Sequence, residues 1–191
     1  MKNLNLKYDS ILPTEILDYE GHLVLTTFKE VPSNCKIPLL HEDLFEKHIT
    51  VISGKIIQKL RLGLDDELII GIDPGKRIGL SVSYYGKEIE KSFHGSIEKM
   101  VLHIITIMGE LRARRKVIKI GNGDMEIAKK IGTMLNLKFC SSFELEYVDE
   151  SKTSPKIKNF NSRGKRDMLS ARYISQRDGL RQLVLPLSIT G

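Results

Sequence analysis

What most constrains this chain is a change of hydrophobic period near residue 95. Upstream, residues 68–73, 78–85 and 88–93 are short runs rich in apolar and β-forming side chains, separated by Asp73-Pro74-Gly75 and by Gly86-Lys87, both of which can turn a chain. They read as three consecutive antiparallel strands. Downstream, Ile97, Met100, Val101, Ile104, Ile105, Met108 and Leu111 recur at three- and four-residue spacing and so share one helical face. Ser96 stands where a helix N-cap is expected and Glu98 falls in the first turn. A strand meander that hands over to an amphipathic helix implies a sheet with a face for that helix to cover.

The alternation continues toward the C-terminal side. Residues 117–120 read as a buried strand closed by Gly121-Asn122-Gly123, 125–135 as a helix, 143–148 as another strand, and 168–176 as a last helix with Gly179 near its end. Strands that alternate with helices pair in parallel, so the expected class is α/β with a five-stranded mixed sheet flanked by helices. Residues 1–66 are less regular and read as a small N-terminal appendage to a main domain of residues 67–191. Within the appendage, residues 22–28 suit a strand, and Phe45, Ile49, Ile52, Ile56 and Leu60 form a stripe on a helix that Gly54 interrupts at a cost of about 1 kcal/mol relative to Ala. Such a stripe is expected to pack against the main domain or a second subunit.

The 191 residues suit one compact domain with an appendage, or two small ones. No apolar run approaches the roughly 18 residues that cross a bilayer, and the polar start carries no hydrophobic leader core. Cys35 and Cys140 are too few for a disulfide framework or a four-cysteine zinc site, so a cytoplasmic location is expected. The net charge of +6 is unevenly spread: residues 151–191 hold nine basic side chains against Asp167 and Asp178. Lys152, Lys156, Lys158, Arg163, Lys165 and Arg166 form an acid-free stretch that would attract a polyanion such as a nucleic-acid backbone, or would be a solvated loop.

Three acids sit at positions where a fold could gather them. Asp73 ends an apolar strand beside a Pro-Gly turn, which suits either a cation ligand or a turn-forming aspartate. The run 144–148 leads into Asp149-Glu150, and strand alternation sends those two side chains to opposite faces, so at most one can face Asp73. Asp167 follows Lys165-Arg166 at the expected start of the last helix, where an N-cap is the simpler reading. Carboxylate oxygens suit Mg2+ or Mn2+, and two such ions about 4 Å apart can activate water and stabilise the leaving oxygen of a phosphodiester.

The motif Ile69-Ile70-Gly71-Ile72-Asp73-Pro74-Gly75 with Gly79 resembles the first motif of the RuvC-like and YqgF-like branch of the ribonuclease H superfamily. Val148-Asp149-Glu150-Ser151 with Thr153-Ser154 resembles the family's later Asp-Glu motif, residues 165–172 its acidic final helix, and Ile120-Gly121-Asn122-Gly123 a strand end of YqgF-like domains of the Tex type. The resemblance covers residues 69–178 with the motifs in the family's order. It implies a ribonuclease H-like fold, with Asp73, Glu150 and Asp167 as catalytic metal ligands for Mg2+ or Mn2+ and Asp149 as support behind them. It further implies an endonuclease acting on branched DNA such as a Holliday junction, gripped by the six basic residues, and a homodimer. Where bacterial RuvC has an acid at a further strand end, this chain has Asn122. A YqgF-like nuclease for structured RNA and a non-catalytic nucleic-acid-binding module are the alternatives.

Other patterns lead nowhere at the level of sequence. His41 and His48 with Glu42 could be imagined around a metal, but no further His or Cys supports them at a suitable spacing. No phosphate-cradling P-loop pattern is present. Cys140 has no base at hand and is expected to be buried. The actin-like ATPases share the Gly-Ile-Asp-x-Gly strand but place nucleotide between two domains, and this chain has room for one.

Overall fold

Two sheets and four helices organise residues 4, 6–30, 34–60, 66–139, 143–151 and 163–182, which are those the computed structural model describes. The N-terminal part contributes β1 (Val24–Thr26) and β2 (Leu39–His41), paired in parallel, then α1 (Ile49–Leu60). The larger sheet is built from β3 (Glu67–Asp73), β4 (Ile78–Tyr84), β5 (Lys87–His94), β6 (Arg115–Gly121), β7 (Glu144–Val148) and β8 (Leu180–Gln182). Between them run α2 (Ile97–Glu110), α3 (Met125–Phe139) and α4 (Arg163–Gln176). The spatial order is β5-β4-β3-β6-β7-β8, with β3, β6 and β7 parallel and the others antiparallel to their neighbours.

The chain is therefore α/β with a mixed six-stranded sheet, not the five strands expected. The additional strand is β8, three exposed residues that complete the edge beside β7. A strand this short and this exposed carries no hydrophobic alternation for sequence reading to detect. The β4–β5 hairpin turns on Tyr85 (φ 50°) and Gly86 (φ 70°), one residue earlier than expected. Two successive positive φ values define the two-residue turn whose twist matches that of paired strands, and Gly86 supplies one of them without steric cost.

Alternation gives each strand two faces with different duties. Leu68, Ile70 and Ile72 of β3, Leu80, Val82 and Tyr84 of β4, and Ile118 and Ile120 of β6 join one buried cluster. Val51 of α1, Met100, Ile104, Ile107 and Met108 of α2, and Ala128, Ile131 and Leu135 of α3 complete it. Ser96 does cap α2, its Oγ accepting from the Lys99 amide at 3.4 Å. The buried face of α1 runs through Thr50, Val51, Ser53, Gly54, Ile56 and Ile57, whereas Phe45 and Ile49 of the expected stripe are exposed. Phe45 falls in a preceding 3-10 turn, which rotates it off the helical face.

The opposite face belongs to α4, and small residues let it approach closely. A Cβ on Gly71 would stand 2.2 Å from the Ala171 carbonyl oxygen, and one on Gly79 would stand 2.1 Å from that of Asp167. The helix begins at Arg163, not Met168, so the N-cap reading of Asp167 is incorrect and the residue lies inside the helix. Residues 163–167 are Arg-Gly-Lys-Arg-Asp, which offer no apolar side chain to reveal a helical period.

The far end of α4 is anchored by charge. The Lys119 ammonium, 9% exposed, donates to the Arg177 carbonyl just past the helix and lies 3.5 Å from Glu146 Oε2, which also accepts from the Gly179 amide at 3.3 Å. Removing Lys119 would leave the buried Glu146 carboxylate, among the described residues, only the Gly179 amide and the Arg115 guanidinium, 3.8 Å away, as partners. Lys119→Ala is expected to destabilise the fold by about 3 kcal/mol. The double variant Lys119→Met, Glu146→Leu should lose less than the sum of the two single changes, which urea unfolding of the four proteins would read directly.

Candidate metal centre at the sheet edge

Asp73 ends β3 on the same face as Gly71, the face covered by α4. Directly across the β3–β4 pair lies Gly79, and the backbone of Asp167 fills the space a side chain there would take. Asp167 thereby stands over Asp73. Its carboxylate also meets Arg77, with Nε to Oδ2 at 3.3 Å, and the Arg77 guanidinium lies 5.8 Å from the centre of the Phe93 ring.

Glu150 arrives from β7. Val148 pairs with Gly121, and two residues on Glu150 points to the same side, where its carboxylate occupies the space a Gly121 side chain would fill. The Gly123 amide donates to Glu150 Oε1 at 3.0 Å. The Glu150 amide donates to Asn122 Oδ1 at 3.0 Å, while the Asn122 amide donates to the Val148 carbonyl at 3.0 Å. Asn122 thus ties the β6 end to the turn that presents Glu150. Asp124 caps α3, accepting from the Ile127 amide at 3.1 Å.

Electrostatics report how closely these acids meet. Burial, then the Glu150 and Asp167 carboxylates, raise the Asp73 carboxyl to about 7, against a hydrogen bond from Ser170. Glu150 is also raised, first by burial and then by Asp124 and Asp149, with the Gly123 amide opposing. Asp149 turns outward: Ser151 donates to it from its amide at 2.9 Å and its hydroxyl at 2.6 Å, which holds its carboxyl below the ordinary range. Arg177 braces the same turn by donating to the Asp149 and Ser151 carbonyls.

Asp73, Glu150 and Asp167 are therefore brought to one edge of the sheet, and Asp149 is not among them. Their ligand atoms do not all close within 4.8 Å of one another; among the described residues that spacing is met by His48, Glu90 and His103. The carboxylate trio is open. Lys165 and Arg166 are exposed on the early turns of α4. Lys152, Lys156 and Lys158 lie outside the described residues, as do Cys140 and the Arg163 side chain.

Ser170 and Arg77 escape the sequence reading although both touch the acids. Ser170 lies three residues after Asp167, a spacing that puts both on one helical face, but the signal exists only once the helix is known to include Asp167. For Arg77 no local signal exists, because the turn alone decides where it reaches.

Burial of Asp73, reinforced by the neighbouring carboxylates, has a consequence for stability. A carboxyl raised from 3.8 to about 7 binds its proton more tightly in the folded chain than in the unfolded one. Its contribution is full below the unfolded value and is lost as pH rises through about 7. In metal-free buffer Asp73→Asn is accordingly expected to melt above the wild type at pH 8, with the gap narrowing at pH 5. Thermal melts at the two pH values test this, and an equal or lower melting temperature for the variant at pH 8 contradicts it.

The fold and the site together define an α/β domain with a carboxylate-lined sheet edge beside exposed basic residues. No protein-family model matches the chain, and no curated protein matches it. Among the described residues no helix is long and apolar enough to cross a membrane.

Proposed function

We propose that this chain is a metal-dependent endonuclease of ribonuclease H-like fold that hydrolyses phosphodiesters in branched DNA, in the manner of a Holliday junction resolvase. The observation that carries the reading is the convergence of Asp73, Glu150 and Asp167, distant in sequence, on one edge of a mixed sheet. An antiparallel β3–β4–β5 meander continued by parallel β6 and β7, with the first acid ending the central β3, supports the fold assignment.

The donor set fits hard divalent cations. Three carboxylates supply oxygen ligands only, and burial together with the Glu150 and Asp167 charges disfavours ionised Asp73, an excess of negative charge that Mg2+ or Mn2+ would neutralise. Such ions, when bound, lower the pKa of water and stabilise a leaving oxygen. Asp73, Glu150 and Asp167 would hold them. Ser170 orients the Asp73 carboxylate by its hydrogen bond, and Asn122 and the Gly123 amide set the position of Glu150. Lys165 and Arg166, with the basic residues of the 152–163 stretch, would bind the phosphate backbone and offset the negative site. Cutting both strands of a symmetric junction requires two such sites, so a homodimer belongs to this reading. Exposed Phe45, in the turn before α1, and Ile49, the first residue of α1, are available to it.

A substrate panel tests the proposal. The full chain is incubated with Mg2+ or Mn2+ and either a four-way DNA junction, linear duplex DNA or a folded RNA. Cleavage of the junction is the expected result. Cleavage of the RNA alone transfers the same acids to RNA processing, and binding without cleavage of any substrate overturns the nuclease in favour of a non-catalytic module.

A further inference from the structure

Three of the five histidines in the chain stand together on the sheet face opposite the carboxylates. Glu90, Ser92 and His94 alternate along β5 and share the face toward α1 and α2, while Phe93 between them faces Gly164 of α4. His48 precedes α1 by one residue, and His103 projects from α2. The ring centres of His48 and His103 are 4.4 Å apart, and those of His94 and His103 are 5.5 Å apart.

Glu90 sits at the middle of this group. His103 Nε2 lies 2.8 and 3.0 Å from its two carboxylate oxygens. The Thr50 and Ser92 hydroxyls donate to the same carboxylate, and they in turn lie 3.0 Å from His48 Nδ1 and 3.2 Å from His94 Nε2. One ligand atom from each of His48, Glu90 and His103 falls within 4.8 Å of the other two.

We propose that His48, Glu90 and His103, with His94 beside them, bind a divalent transition ion of the zinc class that staples the start of α1 to β5 and α2. Imidazole nitrogens joined by one carboxylate suit Zn2+, whereas Mg2+ and Ca2+ favour all-oxygen shells. Four-coordinate Zn2+ with bonds near 2.0–2.1 Å sets its ligands about 3.3 Å apart. The His103 to Glu90 separations of 2.8 and 3.0 Å need only a small widening to reach that value. The ion takes the place of the hydrogen on His103 Nε2, and the ring binds it as a neutral imidazole with its one hydrogen on Nδ1. A single histidine is enough to hold Glu90, so gathering two more against the same ring is what a polyhistidine ligand set explains and a lone ion pair does not. His41, by contrast, stacks on Phe28 at 4.1 Å, and Glu42 accepts from the Phe28 amide, so neither joins His48 in a site.

The test uses the full chain stripped of metal. Titration with Co2+ is expected to develop the intense visible absorption of a four-coordinate ion, saturating at one equivalent, and Zn2+ should abolish it and raise the melting temperature. His48→Ala and His103→Gln should each weaken Co2+ and Zn2+ binding at least about tenfold. Asp73→Asn should leave both unchanged, which separates this site from the carboxylate edge. His48 is exposed, so His48→Ala keeps the test available should His103→Gln fail to fold. Undiminished binding by His48→Ala, loss of the signal in Asp73→Asn, or only the weak spectrum of a six-coordinate ion overturns the proposal.

Discussion

Asp73→Asn is expected to abolish Mg2+-dependent cleavage of a four-way junction while leaving junction binding essentially intact. The substitution keeps the shape of the side chain and the Ser170 contact but removes the charge that β3 places at the centre of the acidic edge. A metal ion contributes several kcal/mol of transition-state stabilisation, and each factor of ten in rate corresponds to about 1.4 kcal/mol, so the loss should be on the order of a thousandfold or more. Glu150→Gln and Asp167→Asn should behave alike. On the proposed reading binding should persist, because basic side chains would make the phosphate contacts and removing a negative charge beside a polyanion would not weaken them. The readout pairs cleavage rates with gel-shift affinities. A variant that still cuts at more than a tenth of the wild-type rate would remove Asp73 from the chemistry.

The second large effect is structural. Gly71→Ala should push α4 off the sheet, because the new methyl group would meet the Ala171 carbonyl oxygen at 2.2 Å and the Ser175 amide at 2.8 Å. Both are main-chain atoms of a helix and cannot swing aside as a side-chain tip can. Overpacking of this kind costs about 3 kcal/mol at the upper end of its ordinary range, which in a chain of this size lowers the melting temperature by roughly 6–12 °C. Because α4 carries both Asp167 and Ser170, the same variant should lose cleavage even at temperatures where it remains folded. Calorimetry with a parallel cleavage assay measures both effects. A melting temperature within a degree of the wild type would show that the helix does not depend on this close approach.

The two variants also distinguish a defect of charge from a defect of placement. Asp73→Asn removes a buried charge together with its repulsion from Glu150 and Asp167 and should stabilise the metal-free chain at pH 8, whereas Gly71→Ala should destabilise it at any pH. Loss of activity accompanied by a gain in stability is the pattern of a site whose groups are held together against their own electrostatics.

Much of this architecture was legible because the signals are local. The apolar and β-forming runs of β3, β4 and β5, the helical period of α2 and the Ser96 cap all arise from neighbouring residues. So does the alternation that separates Asp149 from Glu150. What escaped was decided by partners distant in the chain. The exposed edge strand β8 has no pattern of its own and exists because β7 offers it an unpaired edge. The first turn of α4 lacks apolar residues, so Asp167 reads as a cap until the helix is seen lying across Gly79. Gly54, which by propensity weakens α1, is where that helix meets Leu111, whose Cδ1 would lie 2.6 Å from an added Cβ.

The histidines are the clearest case of the same division. His48, His94 and His103 have no spacing that marks a ligand set, and they become neighbours only when α1 and α2 settle on the face of β5. The order of strands and helices, and which side each strand turns to its core, follow from hydrophobic periodicity, because burial is read from residues a few places apart. Which carboxylates and imidazoles meet follows from how α4, α1 and α2 pack across the sheet, because those encounters join residues that only the closed tertiary structure brings within a few ångströms.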